Sequence, residues 1–156
     1  MQNNMALLER QLAVKKSSLP YAGKGLFTKK SIPKGTKIVE YKGTISRWKD
    51  VNHNEGKNGY IYYINRNHVI DAGPHPEYIA RYANDARGLT RIKGVSNNAV
   101  YNTEGLKVYI CSIRDIPAGG EILVGYGKEY WDVIRHNMKL MVKRSPDFQA
   151  KPRRKQ

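Results

Sequence analysis

The chain has 156 residues, 40% of them hydrophobic, which suits one domain with a modest core and short tails and excludes a disordered or fibrous chain. No apolar stretch approaches the roughly 20 residues that cross a bilayer, and residues 1–16 lack a signal peptide's apolar run and cleavage site, so a soluble, intracellular setting with no membrane partner is expected. Lys and Arg outnumber Asp and Glu by 28 to 13, a net +15 that repels itself unless a partner such as nucleic acid, chromatin or another acidic assembly carries the opposite sign.

In chain order, Leu12-Ala13-Val14 reads as a short strand leading into a loop through Pro20 and Gly23. The Gly23-Lys24-Gly25 step permits a tight turn or close approach of backbone to a ligand, and alone the turn is the better reading. Without a third glycine and a following helix, it is not the phosphate fingerprint of a dinucleotide fold. Lys37–Tyr41 alternates as a strand closed by Gly43, and Tyr60–Ile64 with His68–Asp71 predicts a hairpin across Asn65-Arg66-Asn67. Pro76 opens one or two helical turns reaching Tyr82. Asn98–Tyr101 is a further strand. Lys107–Ile113 and Glu121–Val124 flank the turn Pro117-Ala118-Gly119-Gly120. Cys111, the only cysteine, lies in the alternating run Val108–Ile113 and is expected to be a buried strand thiol.

The one long helix comes late. Trp131, Ile134, Met138 and Met141 form one apolar stripe, which packs on the domain or on a second copy as a homodimer. After Ser145-Pro146 the chain turns basic, ending Lys151-Pro152-Arg153-Arg154-Lys155-Gln156, a tail suited to phosphate contacts with nucleic acid. The expected fold is mostly β with short helices. His53, His68, His75 and His136 show no ligand spacing, so no metal is expected.

Three separated segments share one order. The first is Gly23-Lys24-Gly25-Leu26-Phe27, followed by Tyr41-Lys42-Gly43; the second is Arg81-Tyr82-Ala83-Asn84; the third runs Gly119-Gly120-Glu121-Ile122-Leu123-Val124-Gly125-Tyr126, then Trp131. Together they resemble the SET domain from Leu12 to Trp131. The resemblance implies several small β-sheets with a knot-like C-terminal crossing plus a C-terminal helix. It also implies an arm over residues 1–11, a SET domain over 12–131, a helix over 132–145 and a flexible tail over 146–156. The activity implied is transfer of a methyl group from S-adenosylmethionine, leaving S-adenosylhomocysteine, to a lysine of a protein substrate, histone being favoured. Such a protein would work in the nucleus or on host chromatin if eukaryotic or viral, and in the cytoplasm if bacterial.

By the same resemblance Tyr126 is the catalytic tyrosine and Tyr41 and Tyr101 line the lysine channel. Lys24, Gly25 and Leu26 present backbone to the cofactor, Asn84 holds its amino group, and Arg81 or Tyr82 borders the pocket. Trp131 has two readings, stacking on adenine or anchoring the helical stripe. Tyr60, Tyr62 and Tyr63 are read as strand packing. An abundance of 11 Tyr against 2 Phe suits a channel needing apolar rings with hydroxyls at fixed points.

The pattern departs at Asp85, where the family has His, at Ala86 and Arg87, where Ser and Cys usually follow, and at Gly120, where it has Glu. About a dozen extra residues near Gly88–Ser96 precede the Asn98 strand, and no cysteine-rich segment follows, as in the small free-standing SET proteins of viral or microbial kind. The charge and Asp85 motivate a second reading, a catalytically weak SET-like module that binds nucleic acid or chromatin. An unrelated β-barrel binder ranks last, because it leaves the ordered motifs unexplained.

Overall fold

A computed structural model describes residues 7–54, 58–88, 91–127 and 136. Among these the chain is mostly β, with little regular helix. Nine short strands form three three-stranded antiparallel sheets. The first joins β1 (Leu12–Lys16), β2 (Lys24–Thr28) and β9 (Glu121–Ile122) in that order; the second orders β3 (Lys37–Glu40), β8 (Lys107–Ser112) and β7 (Ala99–Glu104). The third orders β4 (Thr44–Ser46), β6 (His68–Asp71) and β5 (Ile61–Asn65).

The sheets meet on one apolar core. Leu26 and Ile122, cross-strand partners, are fully buried with Ile32, Ile38, Val39, Val69, Val108, Ile110, Ile116 and Val124. Each such side chain contributes about 1.5–3 kcal/mol relative to exposure. Ile32 and Ile116 lie outside the sheets, yet exchange both backbone hydrogen bonds at 2.8 Å, so the stretches before β3 and after β8 are clamped together. A smaller cluster of Leu19, Ala86 and Leu123 is covered by Ala22, Ile92 and Val95, which seats Ile92 and Val95 against the β1–β2 loop.

The structure departs from the sequence expectations at several points. The Gly23-Lys24-Gly25 step leads directly into a strand: β2 pairs with β1 along its length and with β9 on its other side. The predicted strand Glu121–Val124 divides in two. Glu121 and Ile122 pair with β2, while Leu123 and Val124 make single parallel bridges to Asn84 and Ala99. The helical turn expected from Pro76 is a 3-10 turn over Ile79–Tyr82 alone, because residues 72–78 are spent on successive tight turns, with His75 N–H donating to Ala72 and Tyr78 N–H to His75. Cys111 is half-buried rather than buried, since it lies on a face of β8 that nothing closes completely. Trp131, the helix over 132–145 and the tail over 146–156 lie outside the described residues, as do residues 1–6 of the arm. No helix among the described residues is long and apolar enough to cross a membrane.

Candidate active site

The tripeptide Ala83-Asn84-Asp85 follows the 3-10 turn and is buried throughout. Asn84 is tied on two sides. Its Nδ2 donates to the Lys24 carbonyl at 2.9 Å, and its own carbonyl accepts from Val124 N–H at 2.8 Å. It therefore joins the start of β2 to the segment after β9. Its Oδ1 is an acceptor of the kind that suits an ammonium donor.

Tyr126 is held at both ends by the residues flanking Asn84. Its backbone N–H donates to Asp85 Oδ2 at 2.8 Å, and its hydroxyl donates to the Ala83 carbonyl. The ring stacks near Tyr101, centroids 6.4 Å apart and planes 24° apart. Tyr101 on β7 meets Tyr41 edge-on at 5.8 Å and Tyr62 on β5 at 5.3 Å, and Tyr41 and Tyr62 lie 6.1 Å apart. Tyr41, just past β3, donates its hydroxyl to the Tyr60 carbonyl at 2.7 Å. Four tyrosines from separate parts of the chain thus form one aromatic cluster. Its ring faces carry partial negative charge and attract cations without the hydration a carboxylate would hold.

Tyr62 is the member of this cluster that the sequence reading assigns to plain packing. The ring does pack, but on Tyr41 and Tyr101. Tyr60 is buried beneath the Arg81 guanidinium, and Tyr63 is exposed against Trp48. Arg81 Nη1 donates to the Ala72 and Gly73 carbonyls at 2.8 and 2.9 Å, and its Cζ lies 4.0 Å over Tyr60 and 5.2 Å from the centre of Tyr82. Its charge is engaged by that turn and those rings. The Tyr82 hydroxyl donates to the Pro76 carbonyl at 3.3 Å.

Gly25 and Leu26 lie on β2, Leu26 wholly inside the core. A Cβ on Gly25 would stand 2.3 Å from Glu121 Oε2, so this glycine makes room for a carboxylate. Buried Glu121 accepts hydrogen bonds from Ser17 Oγ at 2.6 Å, Ser18 Oγ at 2.6 Å and Ser18 N–H at 3.0 Å, fastening β9 to the β1–β2 loop. Gly43 is bare for a similar reason: a Cβ there would come 2.4 Å from the Asp71 carbonyl oxygen. The sequence reading misses the Ser17–Glu121 contact, since partners 104 residues apart leave no local pattern.

Away from the tyrosine cluster, three groups have shifted acidity. Glu104 beside Lys37 holds its ammonium above the usual range, the hydrogen bond from His75 holds the Glu77 carboxyl low, and burial pushes the Cys111 thiol up. The described residues contain no group of three or more His, Cys, Asp or Glu able to hold a metal ion.

The family model for the SET domain matches residues 23–127, a span that contains the tyrosine cluster, the Asn84 tripeptide and all three sheets except β1. The chain belongs to the SET domain family. Histone-lysine N-methyltransferase 2D of Homo sapiens and that of Mus musculus are each 33% identical over 120 residues, 70% of this chain. The chain spans about 2% of the length of these curated relatives. Among solved structures, the methyltransferase domain of human PR domain-containing protein 2 superposes with a TM-score of 0.56 at 26% identity, covering 80% of this chain and 84% of that one. A humanized mutant of the Chaetomium thermophilum Polycomb Repressive Complex 2 gives 0.61 at 22% identity, covering 80% of this chain and 16% of that one, a likeness of fold.

Within this SET domain the departure at Asp85 has a visible structural use. Its carboxylate is buried and accepts from three N–H groups, those of Tyr126, Arg87 and the Asn97 side chain.

Proposed function

We propose that the chain is an S-adenosylmethionine-dependent protein lysine N-methyltransferase acting on histone or another basic protein. The observation that carries the reading is Tyr126, joined at both ends to the residues around Asn84 and facing the Tyr101 ring. Family membership and the 33% identity to histone-lysine N-methyltransferase 2D support it.

S-adenosylmethionine supplies a methyl group on a sulfonium, transferred in line to an amine. Asn84 Oδ1 would accept from its ammonium, and the backbone of Lys24, Gly25 and Leu26 with Tyr82 would border the rest. Tyr41, Tyr101 and Tyr62 would wall the lysine channel. A lysine ammonium has a reference pKa near 10.4, and apolar walls disfavour its charged form, so the channel itself would favour the free amine. Because the Tyr126 hydroxyl donates its hydrogen bond to the Ala83 carbonyl, its oxygen keeps lone pairs to orient polarised hydrogens at the reacting carbon.

Further parts of this reading concern the chain beyond the site. They are an arm over 1–11, a domain over 12–131 closed by a knot-like crossing of its C-terminal segment, a helix over 132–145 with Trp131 at the cofactor or in the apolar stripe, and a basic tail over 146–156 on nucleic acid. The two parallel bridges of Leu123 and Val124 support the crossing, since they lay that segment between Asn84 and Ala99. A homodimer through the stripe and a nuclear or chromatin setting complete the proposal.

The test is transfer of label from the cofactor to core histones and basic peptides. Wild type should transfer, and Tyr126→Phe should lower the rate about 10²-fold. Undiminished transfer by Tyr126→Phe removes that residue from its role. Absence of S-adenosylhomocysteine binding in calorimetry, with salt-sensitive DNA binding retained, favours the module reading instead.

A further inference from the structure

We propose that Asp85 and Asn97 form a two-residue clamp that positions Tyr126, and that it links two departures from the family pattern, the lost His and the extra residues before β7. The proposal rests on the reading of Tyr126 given above, and Asp85 and Asn97 act as positioning residues through it.

The geometry is closed on every side. Asp85 is 6% exposed. Its Oδ2 accepts from Tyr126 N–H at 2.8 Å, while Oδ1 accepts from Arg87 N–H at 2.8 Å and Asn97 Nδ2 at 2.9 Å. Asn97 returns the contact, its Oδ1 accepting from Ala86 N–H at 2.8 Å, so one amide grips the Asp85-Ala86 pair by side chain and backbone at once. Gly125, just before Tyr126, lies against the same amide: a Cβ there would be 3.5 Å from Asn97 Nδ2.

Asn97 is delivered by the extra segment, which is itself anchored. Ile92 and Val95 pack on Leu19, Ala86 and Leu123, and Ser96 Oγ accepts from Arg114 Nη1 at 2.8 Å. On the other side, Asn98 Nδ2 donates to the Glu121 carbonyl and its Oδ1 accepts from Leu123 N–H, each at 2.9 Å. Asn97 therefore sits between two fixed points.

The choice of side chain follows from donor arithmetic. A neutral imidazole has one acceptor nitrogen, whereas a carboxylate has two oxygens with about four lone-pair sites. Three N–H donors converge on residue 85, more than a histidine could receive. Without Asn97 the buried carboxylate would lose one of three donors, and without Asp85 the Asn97 amide would lose its acceptor. Each departure makes the other tolerable. Tyr126 is then fixed at its backbone by Asp85 and at its hydroxyl by Ala83, which sets where the oxygen sits in the aromatic cluster.

Rates fall about 10²-fold for a misplacement near 1 Å, so a loosened Tyr126 lowers kcat while KM for both substrates holds. Asp85→Asn, Asn97→Ala and their double variant are compared with wild type in the full chain. Two readouts are taken: steady-state methyl transfer to core histones, and hydrogen exchange of the Tyr126 amide by NMR without cofactor or substrate. Each single variant should lower kcat about tenfold at unchanged KM and speed Tyr126 exchange, while amides of β3, β7 and β8 keep their protection. The double variant should be no worse than the poorer single one. The exchanged pair, Asp85→Asn with Asn97→Asp, keeps an acceptor for Tyr126 N–H and should recover part of kcat, which a purely structural loss would not.

Wild-type kcat and wild-type Tyr126 exchange in both single variants overturn the clamp, provided Tyr126→Phe is inactive. An active Tyr126→Phe instead overturns the reading of Tyr126, and the clamp then stands or falls on amide exchange alone. Should Asp85→Asn fail to fold, Asn97→Ala decides by the same two measurements.

Discussion

Gly25 and Glu121 should behave as one unit in stability measurements. A methyl group on Gly25 would stand 2.3 Å from Glu121 Oε2 and 3.1 Å from its Cδ, so in Gly25→Ala the carboxylate must move away from Ser17 and Ser18. Hydrogen bonds to a charged group contribute about 1.5–3 kcal/mol each, and losing the Ser17 bond while weakening the two from Ser18 should cost about 3 kcal/mol. For a chain of this size that lowers Tm by roughly 6–12 °C. Glu121→Ala should cost about 2–3 kcal/mol, since exposed Ser18 rehydrates while buried Ser17 does not. With the carboxylate gone, the added methyl meets chiefly Ser17 Cα at 3.2 Å, and Gly25→Ala should then add less than about 1 kcal/mol. Urea unfolding followed by circular dichroism gives the four corners of the cycle. A coupling near 2 kcal/mol is expected; equal costs of Gly25→Ala in both backgrounds, within about 0.5 kcal/mol, refute the reasoning.

Arg81→Met should destabilise by about 2–3 kcal/mol in the same assay, because the Gly73 carbonyl loses the Arg81 donor and the Ala72 carbonyl is left with His75 N–H; a cost below about 1 kcal/mol contradicts the assigned packing. Cys111 should react with iodoacetamide more slowly near pH 8 than an unstructured cysteine. Burial raises its pKa, so the stability tied to the protonated thiol is full below the unfolded value and lost as pH rises through the folded one; a rate equal to the unfolded thiol's counts against this. For Glu77 the sign is opposite. Its lowered pKa gives stability present above the ordinary carboxylate range and lost as pH falls through the lowered value, and an NMR titration should show His75→Ala moving its midpoint up.

Much of the sheet framework is legible in the sequence, and the reasons are local. The Tyr60–Ile64 and His68–Asp71 hairpin and the Lys107 strand are fixed by alternation and close turns, and they emerge as β5, β6 and β8. The strand β2 does not announce itself, because Gly25 and Gly23 resemble a turn and its outer partner Ile122 lies 96 residues later than Leu26. Glu121–Val124 reads as one strand because its residues are uniformly apolar after Glu121, yet successive pairs bond to different partners. Tyr41, Asn84 and Tyr126 lie in the ordered motifs and Tyr101 is named through the same resemblance; the structure gathers the three tyrosines into one aromatic cluster. Tyr62 is not reached, since a strand residue's neighbour across another sheet has no sequence signature. Asp85 reads as a loss, because its three donors come from a backbone turn, a segment outside the motif and the tyrosine it holds.

The short strand β9 has a consequence for how the chain acquires its shape. Glu121 and Ile122 close the first sheet, Leu123 and Val124 bridge elements from the middle of the sequence, and Tyr126 completes the aromatic cluster. Before they are placed, the first sheet lacks its third strand and the core lacks Ile122 and Val124. Contacts spanning so much chain are slow to form, because loop closure must be met before they stabilise anything. Folding of this protein should therefore end where its sequence signal is strongest: the last few residues of the third motif lock a structure whose other parts wait for them.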